Sequence, residues 1–310
     1  MPRPFRFQVS TSATPDARQW RELACKAEDL GYASLAIADH LDDQFAPLPA
    51  LMAAATATRR LVLTPLVLGN DYRHPTVLAK ELATLDLLSD GRLEVGIGAG
   101  WMTTDYERAH IPLDPPGTRI ARLAEAISVL KGLFADEPCT FRGRHYRVDS
   151  LDGLPKPAQR PHPPFLVAGG GRKVLTLAAR EADIVGINVN LAAGVIDGRV
   201  GPNATDVATL EKISWIRDAA GDRFDTIELH TRTQIAMVHE RPREIAEMLA
   251  PGLGISADDA LASPHALVGS VDSIIETLLE RRAKYGITYI CWHDDAIDTL
   301  APVVARLAGT

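Results

Sequence analysis

A rhythm constrains this chain more than any other feature: short apolar, β-rich runs recur eight times along 310 residues, separated by longer stretches of helical periodicity. The runs fall at 5–10, 34–40, 61–69, 93–100, 164–170, 184–190, 227–238 and 287–293. Such alternation is what parallel βαβ units produce, because a strand covered on both faces reads as a continuous apolar run. The helical stretches carry the expected punctuation. One spans 16–30 and stops before Gly31, a second spans 75–89 from Pro75 to just short of Gly91, and a third spans 119–134. Proline or aspartate suits a helix start and glycine a helix stop. Eight such units predict a (β/α)₈ TIM barrel, one domain over 1–310. A doubly wound open sheet is the rival, but it calls for a dinucleotide fingerprint after the first strand, where the chain has only Ser10, Thr11, Ser12, Ala13 and Thr14.

Three segments interrupt the rhythm, near 139–163, 191–205 and 251–264. The first contains FRGRHYRV, 141–148, which suits a short hairpin. The second follows the sixth strand. Loops after barrel strands lie on the catalytic face, so this one is a candidate pocket wall or lid.

Composition narrows the partners. A formal net charge of −7 argues against a surface that neutralises nucleic-acid phosphates or anionic lipid, leaving a small molecule as the expected partner. Cys25, Cys139 and Cys291 are far apart and show neither disulfide nor zinc spacing. No run of about 18 apolar residues spans a membrane, and nothing reads as a signal peptide, so a cytoplasmic location is expected.

Three strand ends carry candidate chemistry. The fifth strand runs into Ala168, Gly169, Gly170, Gly171, Arg172 and Lys173 and then into a helical stretch. Glycines let the backbone approach a ligand closely, and the first turn of a helix presents free N–H groups to an anion. A phosphate cradle follows, with a plain strand-to-helix turn as the alternative. The fourth strand ends in Gly98, Ala99, Gly100 and Trp101, where small residues allow a flat ring to lie against the mouth; close helix packing is the bland alternative. The second strand ends in Asp39 and His40, a pair able to exchange a proton near neutral pH, although a histidine at a strand end can equally be structural. His74 before Pro75 reads as a helix-start turn, and His293 is treated with the same caution. No GxSxG elbow, HExxH helix or Walker A lysine is present, which leaves cofactor chemistry.

These residues resemble a known family. The stretch 73–101, RHPTVLAKELATLDLLSDGRLEVGIGAGW, is similar to the signature of the luciferase-like (bacterial luciferase-type) flavin and F420 oxidoreductases. Asp39-His40, RIARLAEAISVLKGL at 119–133, the AGGG cradle and YGITY at 285–289 fit in the same order. The resemblance implies a barrel with insertions, a homodimer, and a flavin or deazaflavin ring at the C-terminal mouth. By position, Asp39 and His40 would flank the redox-active edge. Val67, Leu68, Gly69 and Asn70 would back the ring, through a bulge or a non-prolyl cis peptide. Gly98, Ala99, Gly100 and Trp101 would line its far edge, Ala168, Gly169, Gly170, Gly171 and Arg172 the phosphate, and 186–188 a further wall. F420-dependent sugar-phosphate and alcohol dehydrogenases of this family carry Glu, Trp and Glu where this chain has Gln8, Gln44 and Trp101, which argues against those substrates. The expected cofactor is coenzyme F420, passing a hydride to or from a small organic substrate with His40 handling the proton. FMN-dependent monooxygenation with O₂ and cofactor binding without turnover are the alternatives.

Overall fold

A computed structural model describes residues 3–310. Among the described residues there are thirteen strands: β1 (Arg6–Thr11), β2 (Ser34–Ile37), β3 (Val62–Pro65), β4 (Leu68–Gly69), β5 (Val95–Gly98), β6 (Cys139–Arg142), β7 (Arg147–Leu151), β8 (Phe165–Gly169), β9 (Ile184–Ile187), β10 (Glu228–Arg232), β11 (Ile235–Val238), β12 (Ala266–Gly269) and β13 (Ile287–His293). The helices are α1 (Ala17–Asp29), α2 (Pro47–Ala57), α3 (Pro75–Leu88), α4 (Thr103–Ala109), α5 (Pro116–Phe134), α6 (Arg172–Glu181), α7 (Asp206–Ala220), α8 (Pro242–Leu253), α9 (Ala257–Ala262), α10 (Val271–Tyr285) and α11 (Ala301–Leu307).

Nine strands form one parallel sheet in the order β3-β2-β1-β13-β10-β9-β8-β5-β4. β3 and β4 occupy a single position in it, so the sheet has the eightfold order of a (β/α)₈ barrel. A parallel bridge between Leu63 and Leu93 links β3 to the start of β5 and completes the ring. The expected strand 61–69 is thus one position interrupted at the cis peptide between Leu66 and Val67.

The barrel packs as the apolar runs require. Phe7, Val9, Leu35, Ile37, Leu63, Val95, Ile97, Val167, Val185 and Trp292 are all fully buried among the surrounding helices. Its interior is partly polar. Gln8 Nε2 donates to Ser34 Oγ and to the Tyr289 hydroxyl, each at 2.9 Å, and the Tyr289 hydroxyl donates to Glu94 Oε2 at 2.9 Å. Arg6 bridges Glu94 Oε1 at 2.5 Å and Glu228 Oε2 at 2.7 Å, closing the N-terminal end. Buried carboxylates without such a partner would cost several kcal/mol each.

One expectation needs correction. The expected strand 227–238 is really two: β10 stays in the barrel, while β11 leaves it to pair in parallel with β12. Thr233 N–H donates to the Cys291 carbonyl at 2.7 Å and Gln234 N–H to the His265 carbonyl at 2.8 Å, which diverts the chain. The third interrupting segment, 251–264, holds the end of α8, stopped by Gly254 at φ +69°, and the whole of α9. A capping box between Ser256 and Asp259 starts that helix. The hairpin suggested by FRGRHYRV is present as antiparallel β6–β7. Among the described residues no helix is long and apolar enough to cross a membrane.

Candidate active site at the barrel mouth

A cavity of about 430 Å³ opens where the C-terminal ends of β2, β4, β5, β8, β9 and β10 converge. Fourteen of the fifteen residues singled out above line it: Asp39, His40, Val67, Leu68, Gly69, Gly98, Ala99, Gly100, Trp101, Ala168, Gly169, Gly170, Gly171 and Arg172. Asn70 does not. It is buried behind the cavity, where its amide donates to the Tyr146 hydroxyl of the hairpin at 3.2 Å.

One wall is apolar. Leu66, Val67, Leu68, Ala99 and Ile120 supply it, next to the cis peptide between Leu66 and Val67. A Cβ on Gly98 would sit 2.7 Å from Val67 Cγ2, so a larger residue there would push the Val67 side chain aside.

The two residues of the Asp39-His40 pair have different surroundings. Asp39 is buried; its Oδ2 accepts from Arg73 Nη1 at 2.6 Å and from the Gly69 N–H at 3.0 Å, while Oδ1 accepts from Arg73 Nη2 at 3.3 Å. It thereby ties the wall segment 66–70 to the start of α3. His40 pairs instead with Asp105 of α4, Nδ1 to Oδ2 at 2.7 Å. That carboxylate is 5% exposed and also accepts from the Leu41 N–H at 3.3 Å and the Tyr72 hydroxyl at 3.3 Å. With Nδ1 committed, Nε2 is the imidazole nitrogen left to meet a ligand. Trp101 packs edge-on against the His40 ring at 5.5 Å between centroids. Burial, and then the Asp105 charge, hold the Tyr72 hydroxyl far above its ordinary pKa, so it stays a neutral donor.

Asp105 was not legible in the sequence. Nothing in TTDYERA marks one carboxylate as facing a histidine 65 positions away. His230 was missed too. It lines the cavity, and its Nε2 donates to Gln8 Oε1 at 3.1 Å. Burial pushes it down to about 3, so it is a neutral imidazole at pH 7, its tautomer set by Gln8. His74 and His293 lie outside the cavity lining: His74 Nδ1 bonds Thr76 at the start of α3, and His293 pairs with Asp294.

The opposite wall is the glycine turn. Gly171 is the N-cap of α6 at φ −101°, and Arg172 and Lys173, both exposed, follow it. Gly170 is glycine by packing, since a Cβ there would fall on the Val189 carbonyl and the Asn190 nitrogen. Gly171 is different: a Cβ would find only Asn190 Nδ2, at 3.9 Å. Neither dihedral angle nor neighbours require a glycine at that position, which leaves free space directly before the N–H groups of a helix start. This space, two cations and an apolar slab opposite fit a phosphate-bearing tricyclic cofactor.

Comparisons with known proteins agree with this geometry. The family description "luciferase-like monooxygenase" matches residues 3–196. An FMNH₂-dependent dimethylsulfone monooxygenase of Pseudomonas putida is 30% identical over 154 residues, 50% of this chain and 42% of that protein. An F420-dependent glucose-6-phosphate dehydrogenase of Nakamurella multipartita is 33% identical over 191 residues, 59% of this chain and 56% of that protein. The chain therefore spans about half the length of these curated relatives. The solved coenzyme F420-dependent tetrahydromethanopterin reductase of Methanopyrus kandleri superposes with a TM-score of 0.77 at 18% identity, covering 98% of this chain and 99% of that one. With the family match running from β1 through the glycine turn and into the second insertion, the chain belongs to the luciferase-like monooxygenase family.

Proposed function

We propose that this protein is an F420-dependent oxidoreductase acting on a small organic substrate. The observation that carries the reading is the His40–Asp105 pair on the cavity wall. When bound, the deazaflavin supplies two-electron hydride chemistry. A hydride passing to a carbonyl carbon must be matched by a proton added to its oxygen, and one leaving a carbinol carbon by a proton lost from the hydroxyl; a histidine held by a buried carboxylate is suited to give or take that proton. Asp105 fixes the Nδ1–H tautomer of His40 and leaves Nε2 to face the cavity. Tyr72 and the Leu41 N–H hold Asp105 in turn. The apolar wall of Leu66, Val67 and Leu68 would keep water from one face of the cofactor ring, and the turn 169–172 with Lys173 would hold its phosphate.

Both F420 and FMN have a ring and a phosphate, so the deciding experiment is a parallel titration of the purified protein with each. Tighter binding of F420 is expected, with loss of turnover in His40→Ala. Binding of FMN alone, with oxygen consumption on addition of FMNH₂, would replace this reading by monooxygenation.

A further inference from the structure

The second and third insertions, to which the cofactor reading assigns no chemistry, meet in space. With α8, α9, β11 and β12 they enclose a second chamber of about 210 Å³. It adjoins the cofactor cavity: Asn188, Val189, Leu191, Ile196 and Gln234 line both. The far walls are side chains such as Ile235, Ala246, Leu249, Ala260 and Val268.

What the chamber lacks defines its occupant. Among the described residues that line it, none is charged. Two deeper polar side chains are engaged through one atom each: Ser263 Oγ donates to the Ala204 carbonyl at 2.6 Å, and His265 Nδ1 donates to the Arg232 carbonyl at 3.0 Å. Burial pushes His265 down to about 4, so it stays uncharged at neutral pH. The polar groups left over are His265 Nε2, buried without a partner, and Asn188 and Gln234 on the wall shared with the cofactor cavity. The roof is fixed rather than loose, because buried Lys212 donates through Nζ to the carbonyls of Asn188 at 2.9 Å and Asn203 at 2.5 Å, pinning both ends of the second insertion.

An anionic guest would leave water for a chamber with no cation in its lining, because nearby Lys212 and Arg281 are turned to backbone carbonyls. A polyol would leave most of its hydroxyls without a partner. The volume is also below the roughly 300–1,000 Å³ of pockets that take drug-sized ligands. We infer that the substrate is an uncharged, mainly apolar organic molecule, about the size of a single substituted ring, whose body lodges in this chamber while its one polar, reacting end passes Asn188 and Gln234 into the cofactor cavity. The inference rests on the oxidoreductase reading for its chemistry, but the chamber's ligand preference is independent of it.

The test is calorimetric titration of the full chain, with and without saturating F420, using menthol and menthone as uncharged ring probes and glucose 6-phosphate as the anionic polyol. Menthol or menthone should bind at least tenfold more tightly than glucose 6-phosphate. Ala246→Phe, which fills the chamber, should weaken that binding at least tenfold and leave the F420 titration unchanged. If the phenylalanine disturbs folding, Leu249→Asp, which places a charge on the same wall, should give the same loss. Preference for glucose 6-phosphate, or menthol affinity equal in wild type and both variants, would overturn the inference. Loss of F420 and FMN binding with menthol affinity retained would instead sink the cofactor reading and leave the chamber standing.

Discussion

Gly171→Ala isolates the phosphate cradle from the fold that carries it. A methyl group at 171 meets only Asn190 Nδ2, at 3.9 Å, and φ of −101° suits any residue, so the substitution adds neither clash nor backbone strain. Alanine is a poorer N-cap than glycine by up to about 1 kcal/mol, while the stiffer unfolded chain returns about 0.4–1 kcal/mol. Stability should therefore change by less than about 1 kcal/mol, or roughly 2–3 °C in Tm for a chain of this size. The ligand side is not balanced in this way. A methyl group in front of the α6 N-terminus would displace a phosphate oxygen from at least one backbone N–H, and a charge-assisted hydrogen bond of that kind contributes about 1.5–3 kcal/mol. F420 affinity should fall by about tenfold to a hundredfold. Gly170→Ala is the contrasting control: its Cβ would fall on the Val189–Asn190 backbone, so it should lower Tm as well as affinity. The assays are a thermal melt and a fluorescence titration on the same preparation. Gly171→Ala with unchanged Tm and unchanged F420 and FMN affinity would refute the assignment of this turn as the anion seat.

The remaining predictions concern partners buried around the mouth. Asp105→Asn should lower kcat by about a hundredfold or more with little change in KM, and should move the pH profile of kcat; Asp105→Glu should recover part of the activity, which a purely structural residue would not require. Arg73→Met leaves the buried Asp39 carboxylate without its counter-ion and should cost about 3–5 kcal/mol, read as a lower denaturant midpoint with unchanged m-value. His230 and His265 are buried and pushed down to about 3 and about 4, whereas an unfolded chain protonates both near pH 6.5. Folded-state pKa values below the unfolded ones mean that their stabilising contribution is complete above pH 6.5 and is lost as pH falls toward 4. The two together should remove about 4 kcal/mol between pH 7 and pH 5. His265→Asn should roughly halve that dependence in equilibrium unfolding at the two pH values, and an unchanged slope would refute it.

The barrel was legible because parallel strands buried on both faces leave a local trace. Runs such as VGIG and IVGI are wholly apolar or glycine and lie between helix stops and starts. The trace fails where distant contacts decide. TRTQIAMV reads as one strand, yet donation from Thr233 to Cys291 and from Gln234 to His265 splits it, and neither partner lies nearby in the sequence. The site divides along the same line. A cradle made of backbone is written in consecutive residues, so Ala168 to Arg172 could be found directly, and so could the glycines at 98 and 100. A pair made of side chains is not: His40 and Asp105 are joined only after β2 and α4 are brought to one rim.

The same division explains where substrate choice resides. The cofactor half of the mouth is built from strand ends, whose geometry the barrel fixes. The second chamber is built from the second and third segments that interrupt the strand–helix rhythm, and the third holds a capped helix. Replacing residues there alters the shape and charge of the chamber without disturbing the strand ends that carry His40 and the glycine turn. On the proposed reading, substitution at positions such as Ala246, Leu249 and Ala260 would change substrate range while leaving His40 and the glycine turn in place.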